Sequence, residues 1–481
     1  MLVASRRIGL LERYRVPYVV DPSTGEEHVV RIARADGQGA ELLSVSAAVD
    51  TPAGPFVFDG AFLHAPVAET DAAAVAAGST RAWAEETPIV DELGVTRSAV
   101  SRGADGSVLL PFDIDAPLDA LREERYLLRR NRIRQVATRG YYRARGVIPR
   151  PLQMSLRRRY RAIQERSPFP AWPTETSLHR LEALILSLVQ EIAGEPLPWI
   201  WHWPDDYRWA LVLTHDVEHA AGYRMVEEMQ AVEARHGLRS AWYFVPERDY
   251  AVDEALLAHL QNAGCEICLH GLRHDGRDMA ARVFEKRLPA MKRYAEQWHS
   301  EGFRSPSTHR NPELLGELGV RHDSSWSDVA TYEPEPGGSC YWLPYFIGDV
   351  VELPITFPQD HTLFELRGER TGERWAEKAA FLRKEGGMGV LLTHPDYLIA
   401  PERMALYEAF LGAQAQDTSA WHALPREVAA WWRRRSSSVP QRSESGWTVT
   451  GPAGSQARVR LGAPPLPRIS PDSSGQISRS A

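Results

Sequence analysis

From Trp209 onward, short apolar runs alternate with longer helical stretches, and that rhythm restricts the chain more than any other feature of its sequence. Seven such runs occupy residues 209–214, 240–245, 266–270, 302–304, 320–323, 350–356 and 388–394, with helical patterns at 223–236, 253–263, 279–300 and 373–385 between them. A strand that is apolar throughout has to be covered on both faces, the condition met by parallel strands with crossover helices. The expected fold is therefore α/β, a (β/α)7 barrel of TIM-barrel type. Polar residues able to do chemistry, Asp216, His270, Arg304, Asp323 and His394, stand at the carboxyl ends of five of these runs. That rim is where loops converge and where barrels of this kind assemble active sites.

The rest of the chain reads differently. Residues 1–125 form a β-rich region in which short runs (17–20, 28–32, 55–62, 108–115) are separated by Gly, Pro and Ala-rich connections. Residues 126–205 read as a helical, Arg- and Trp-rich connecting segment. Its Arg129, Arg130, Arg132, Arg134, Arg157, Arg158 and Arg159 are expected on a solvated helical face, with a docking surface for an anionic partner as the alternative. Residues 177–193 repeat apolar positions at three and four and predict an amphipathic helix, and Trp199, Trp201 and Trp203 lead into the barrel segment, 206–432. The segment 433–481, rich in Ser, Pro, Gly and Arg, is expected to be a mostly disordered tail with a short hairpin pairing 447–450 with 457–461.

Composition excludes some functions. A net charge of -7 provides no basic field for a nucleic-acid backbone, so no nucleic-acid partner is expected. The first residues carry Arg6, Arg7, Glu12, Arg13 and Arg15, which leaves no apolar stretch of secretory length. No run approaches the roughly 18 apolar residues of a membrane span. No transmembrane segment and a cytoplasmic location are the expectations. The 3 cysteines, Cys265, Cys268 and Cys340, cannot build a disulfide framework, and Cys265 and Cys268 sit at a spacing that points them to opposite faces of a strand. Nothing in the sequence specifies an oligomeric state.

Two clusters carry chemistry. In Thr214-His-Asp-Val-Glu218 two carboxylates two positions apart leave the first run together, so one can bind a cation while the other takes a proton. In His270-Gly-Leu-Arg-His274 two imidazoles four positions apart can turn to one side. Two histidines and a carboxylate make a facial site with open positions. Such a site suits Zn2+ or another divalent first-row ion such as Co2+, Mn2+ or Ni2+.

With these residues in view, the segment 214–397 resembles the polysaccharide deacetylase (NodB-homology) domain of family 4 carbohydrate esterases, a distorted seven-stranded barrel. The resemblance implies Asp216 as base and Glu218 as metal ligand, with the reverse or a shared role as alternatives, and His270 and His274 as the other ligands. Arg304-Ser-Pro306 is similar to the motif whose arginine orients the base. Asp323-Ser-Ser-Trp326 is the nearest match to an aspartate-aromatic motif, which gives Asp323 a catalytic part. Leu391-Leu-Thr-His394 matches the motif that ends on the acid histidine, whose ring a hydrogen-bonded aspartate would keep protonated. Asp360-His361 is expected to line the pocket.

Departures are His215 in place of an aromatic, a Glu displaced by one residue as second acid, an absent closing glycine, and Ser307-Thr308-His309 after the arginine motif. They bear on the oxyanion hole and on sugar specificity more than on the metal. What the resemblance implies is a metal-dependent hydrolase removing an N-acetyl group from a sugar or polysaccharide intermediate. The alternatives are an amidohydrolase or deacylase acting on a small non-sugar amide, and a non-catalytic carbohydrate-binding barrel.

Overall fold

The computed structural model describes residues 1–24, 28–46, 51, 53–79, 81–127, 164, 169–444 and 446–468. The arginines expected on a helical face, Arg129 to Arg134 and Arg157 to Arg159, lie outside the described residues. Two compact units divide the chain, one of Met1–Arg130, Thr174–Asp205 and Arg434–Ala481, the other of Asn131–Pro173 and Asp206–Arg433.

The first unit is built on a nine-stranded sheet. Its middle strands, Val29–Arg34, Leu42–Val45 and Val108–Leu110, bury Val29, Ile32, Leu42, Leu43 and Leu109. The amphipathic helix forms over Ser177–Ala193, burying Leu178, Leu181, Ile185, Val189 and Ile192, and stops at Gly194 in the left-handed region.

Residues 439–461 correct the expectation for the tail. Val439–Ser443 pairs antiparallel with Gly446–Thr450, and Val459–Leu461 pairs not with 447–450 but with Pro198–Ile200. The segment has little apolar area of its own: one hairpin closes within it, and its last strand finds its partner elsewhere in the unit. Just before it, the buried Arg435 donates to the carbonyls of Ile200 (2.6 Å), Trp201 (3.0 Å) and Arg13 (2.9 Å). Residues 469–481 lie outside the described residues.

In the second unit all seven apolar runs become strands: β1 (Trp209–Val217), β2 (Ser240–Phe244), β3 (Glu266–Leu269), β4 (Gly302–Phe303), β5 (His322–Asp323), β6 (Val350–Glu352) and β7 (Met388–Thr393). They pair in parallel in the spatial order β6, β5, β4, β3, β2, β1, β7. An additional strand, Tyr345–Ile347, runs antiparallel on β6, and Ala420–His422 pairs with the start of β1.

The sheet curls until its ends meet between β6 and β7, where no regular ladder forms. Instead the Thr356 and Phe357 amides donate to the Val390 carbonyl (3.2 and 3.1 Å), while Thr356 Oγ1 accepts from Val390 N (2.8 Å) and donates to the Met388 carbonyl (2.9 Å). Gly389 lets the strand approach this seam, because a Cβ there would lie 2.6 Å from the Phe357 ring. The result is the expected distorted (β/α)7 barrel.

Helices α1 (Val226–Arg235), α2 (Glu254–Asn262), α3 (Ala281–Trp298), α4 (Glu373–Glu385) and α5 (Pro401–Ala415) follow in the same unit, and α6 (Pro425–Ser436) begins in it and runs three residues past its end at Arg433. The expected helix over 223–236 is in fact two, a single turn Ala220–Tyr223 and then α1. Among the described residues no helix is long and apolar enough to cross a membrane.

Candidate metal centre and active site

Alternation along β1 sorts its end residues by role. Thr214 and Asp216 face Arg304, which reaches them from the end of β4, and His215 between them turns the other way. There His215 Nε2 meets the Glu233 carboxylate of α1 at 2.6 Å and Nδ1 meets Thr393 Oγ1 at 2.8 Å, while Tyr407 of α5 donates to the same carboxylate (2.8 Å). The residue standing in for an aromatic is therefore a buried tie between β1, β7 and the helices outside them.

Glu218 at the end of β1 and His270 and His274 after β3 converge. One donor atom from each lies within 4.8 Å of the other two. Glu218 Oε1 is 2.8 Å from His274 Nε2 and 3.8 Å from His270 Nε2, and Asp216 Oδ2 is 3.5 Å from His270 Nε2. Both Nε2 atoms are buried, and no hydrogen bond is aligned on either. Two imidazole nitrogens turned on a carboxylate, with no aligned hydrogen bond between them, are a natural ligand set. His270 Nδ1 donates to the Arg304 carbonyl at 2.9 Å, which makes Nε2 the nitrogen that can be offered to an ion. These donors fit a divalent ion of the zinc type.

Asp216 and His394 flank that cluster in opposite protonation states. Burial alone would raise the Asp216 carboxyl, but the His270, Arg304 and His394 charges hold it below the usual carboxylate range. Arg304 is itself wholly buried and donates to Asp216 Oδ1 (2.8 Å), Thr214 Oγ1 (3.0 Å), Ser324 Oγ (2.8 Å) and the Ser324 carbonyl (2.8 Å), lying over the Tyr243 ring. Its fork is thus fixed before it meets the carboxylate. Against burial, His274 and His270 hold Glu218 well below its usual range.

His394 ends β7 and is paired with Asp360. Its Nδ1 lies 2.7 Å from Asp360 Oδ1, and its backbone N–H donates to Oδ2 at 2.6 Å. Burial would lower this imidazole, but the Asp360 carboxylate, with Glu218 and Asp216, raises it to about 10. The other ring nitrogen, Nε2, faces Glu218 Oε1 at 3.7 Å. Asp360, read from the sequence as a pocket-lining residue beside His361, is the aspartate that hydrogen-bonds both the ring and the backbone of His394. It stands 34 residues before His394, so no local pattern links the two.

Asp323 is not brought to this cluster. Its neighbour Ser324 faces Arg304, and Asp323 turns away, accepting from Ser325 N (3.2 Å) and Oγ (2.8 Å) beside the partner-strand residue Glu352. Burial raises both acids, and the Asp323 charge pushes Glu352 further, well above its ordinary value.

A second acid-thiol-imidazole group, Glu266, Cys268 and His322, lies buried lower in the barrel. Both of its carboxylate oxygens are engaged, Oε1 with His322 Nε2 (2.7 Å) and Oε2 with the Arg426 N–H at the start of α6 (2.9 Å). Gly302 makes room for it, since a Cβ there would sit 2.1 Å from the His322 ring and 2.8 Å from Cys268 Sγ. Its His322 Nδ1 has no hydrogen-bond partner among the described residues, but with both carboxylate oxygens engaged we read the group as part of the core. All three cysteines are free and buried.

No protein-family model matches the sequence, and no curated protein matches it at a significant level. Among solved structures, the chain is similar to a Mycobacterium smegmatis protein assigned as a polysaccharide deacetylase, at 21% identity over 48% of this chain and 92% of that one, with a TM-score of 0.41. It is also similar to Puue allantoinase, at 17% identity over 48% of this chain and 92% of that one (TM-score 0.39). A third similarity, at 12% identity over 46% of this chain and 93% of the other (TM-score 0.29), is to a family 4 carbohydrate esterase from Streptomyces lividans in complex with acetate.

Proposed function

We propose that the barrel is a divalent-metal-dependent hydrolase that removes an N-acetyl group from a sugar or glycan. One observation supports this above the others. Glu218, His270 and His274 turn donor atoms on one point, with an acid held ionised on one side and an imidazole held protonated on the other. The sugar class rests on the motif resemblance of residues 214–397.

When bound by Glu218, His270 and His274, the ion supplies an acidified water and a Lewis acid for the substrate carbonyl. Asp216, kept ionised and aimed by Arg304, accepts a proton from the attacking water. His394 Nε2 gives its proton to the departing nitrogen as the C–N bond breaks, because an amine anion is too poor a leaving group. Asp360 keeps that proton in place beforehand by accepting from Nδ1. The products are a carboxylic acid and an amine, which exchange a proton to become a carboxylate and an ammonium ion, and the proton left on Asp216 returns to His394 through solvent, restoring both groups.

The test is acetate release from N-acetylated oligosaccharides and from small non-sugar amides by the metal-loaded protein. We expect turnover on the saccharides that falls at least about a hundredfold in Asp216→Asn and in His394→Ala, the usual scale for a general acid or base. Turnover confined to non-sugar amides would overturn the sugar assignment, and metal binding without turnover on either class would overturn the enzymatic one.

A further inference from the structure

The two histidine ligands are supported in unlike ways. His270 directly follows β3 and has a backbone acceptor for its second nitrogen. His274 sits in the irregular loop between β3 and α3, with φ of 52°, a left-handed conformation that residues with a Cβ rarely adopt. Something outside the residue has to hold it there.

Two arginines grip this loop on either side of His274. Arg287, in the second turn of α3 and 12% exposed, donates through both terminal nitrogens to Asp275, the next residue after His274 (2.8 and 2.5 Å). The same guanidinium reaches the buried Asp278 at 2.6 Å. Asp278 Oδ2 packs against Gly271, where a Cβ would lie 2.7 Å from it, so the grip extends to the residue after His270.

On the other side Arg248 donates Nε to the Glu218 carbonyl and a terminal nitrogen to the Arg273 carbonyl, both at 3.2 Å. One side chain therefore joins the backbone of one ligand to the residue preceding another.

Resting on the metal-centre reading above, we propose that Arg287 and, in support, Arg248 are positioning residues: they hold His274 turned toward Glu218 and His270, where a cation would be taken up, without touching the ion. Partners of this kind typically change metal affinity by roughly ten- to a hundredfold when removed. The fork geometry matters, because an ammonium is a point charge and cannot serve both oxygens of Asp275 in the plane of a guanidinium.

The test is titration of the chelator-stripped full chain with Zn2+ alone, comparing wild type with Arg287→Ala, Arg287→Lys, Asp275→Asn and His270→Ala, with the melting midpoint of each metal-free form recorded alongside. Expected is a tenfold or greater loss of Zn2+ affinity in Arg287→Ala and Asp275→Asn, little recovery in Arg287→Lys, and metal-free midpoints as in wild type. Wild-type affinity in both Arg287→Ala and Asp275→Asn, with affinity lost in His270→Ala, would overturn the positioning role alone. Wild-type affinity in His270→Ala would overturn the metal reading beneath it. A metal-free midpoint that falls with the affinity would make Arg287 a fold element and overturn the proposal too.

Discussion

His394 holds its proton by virtue of one neighbour, and the consequence is measurable in the metal-free protein. The Asp360 carboxylate is the largest favourable influence raising the ring to about 10 against the pull of burial. For a histidine raised in the folded state, the stabilisation is complete below its unfolded value near 6.5 and is lost as pH climbs through about 10. Asp360→Asn removes the charge while keeping the shape. We expect its His394 ring, followed by NMR titration, to lose its proton well below the wild-type pH, and the variant's stability to vary less between pH 7 and 10. An unchanged titration would remove Asp360 from the account. Of the residues at the site, Asp216, Glu218, His270, His274, Arg304 and His394 were readable because each follows directly on an apolar run or stands within a few positions of one. Asp323 met the same criterion, but a side chain's face depends on alternation within its strand, and here Ser324 takes the inward position. The pairing of Asp360 with His394 was not readable, because only the closed barrel joins them.

At the scale of elements, the weakest part of the barrel ladder is the seam between β6 and β7. There a single hydroxyl serves both a backbone donor and a backbone acceptor, Val390 N and the Met388 carbonyl. Thr356→Val keeps the volume and orphans both buried groups. A loss of about 2 kcal/mol in chemical denaturation is expected, since each unsatisfied buried group costs on the order of 1–3 kcal/mol, and Thr356→Ser should recover most of it. Equal stability of the valine and serine variants would contradict this view of the seam. All seven strands were legible from their apolar runs, but β4 and β5 are only two residues each, β4 stopping one residue short of its run and β5 forming only over the last two residues of its run. The helix α4 falls at 373–385 as read, whereas α5 and α6 went unread. The tail was expected to begin at residue 433, yet α6 runs through that point to Ser436 and buries Arg435.

The molecule as a whole is two units built on different rules. The parallel unit could be read from its sequence because strands buried on both faces are continuously apolar. The nine-stranded sheet of the other unit could be read only as β-rich, because its order places strands far apart in sequence side by side, such as Leu42–Val45 with Val108–Leu110. The strand Val459–Leu461 shows the same limit, being legible as a strand but far in sequence from its partner Pro198–Ile200. What the account claims of the whole chain is a single catalytic ion, held by nitrogen and oxygen at the barrel rim and not by the thiol lower in the barrel. X-ray absorption at the zinc edge of the protein loaded with one equivalent of Zn2+ tests this most directly. The account predicts a first shell of nitrogen and oxygen near about 2.0–2.2 Å that is lost in His270→Ala; a sulfur neighbour near about 2.3 Å, or the same spectrum in that variant, would contradict it.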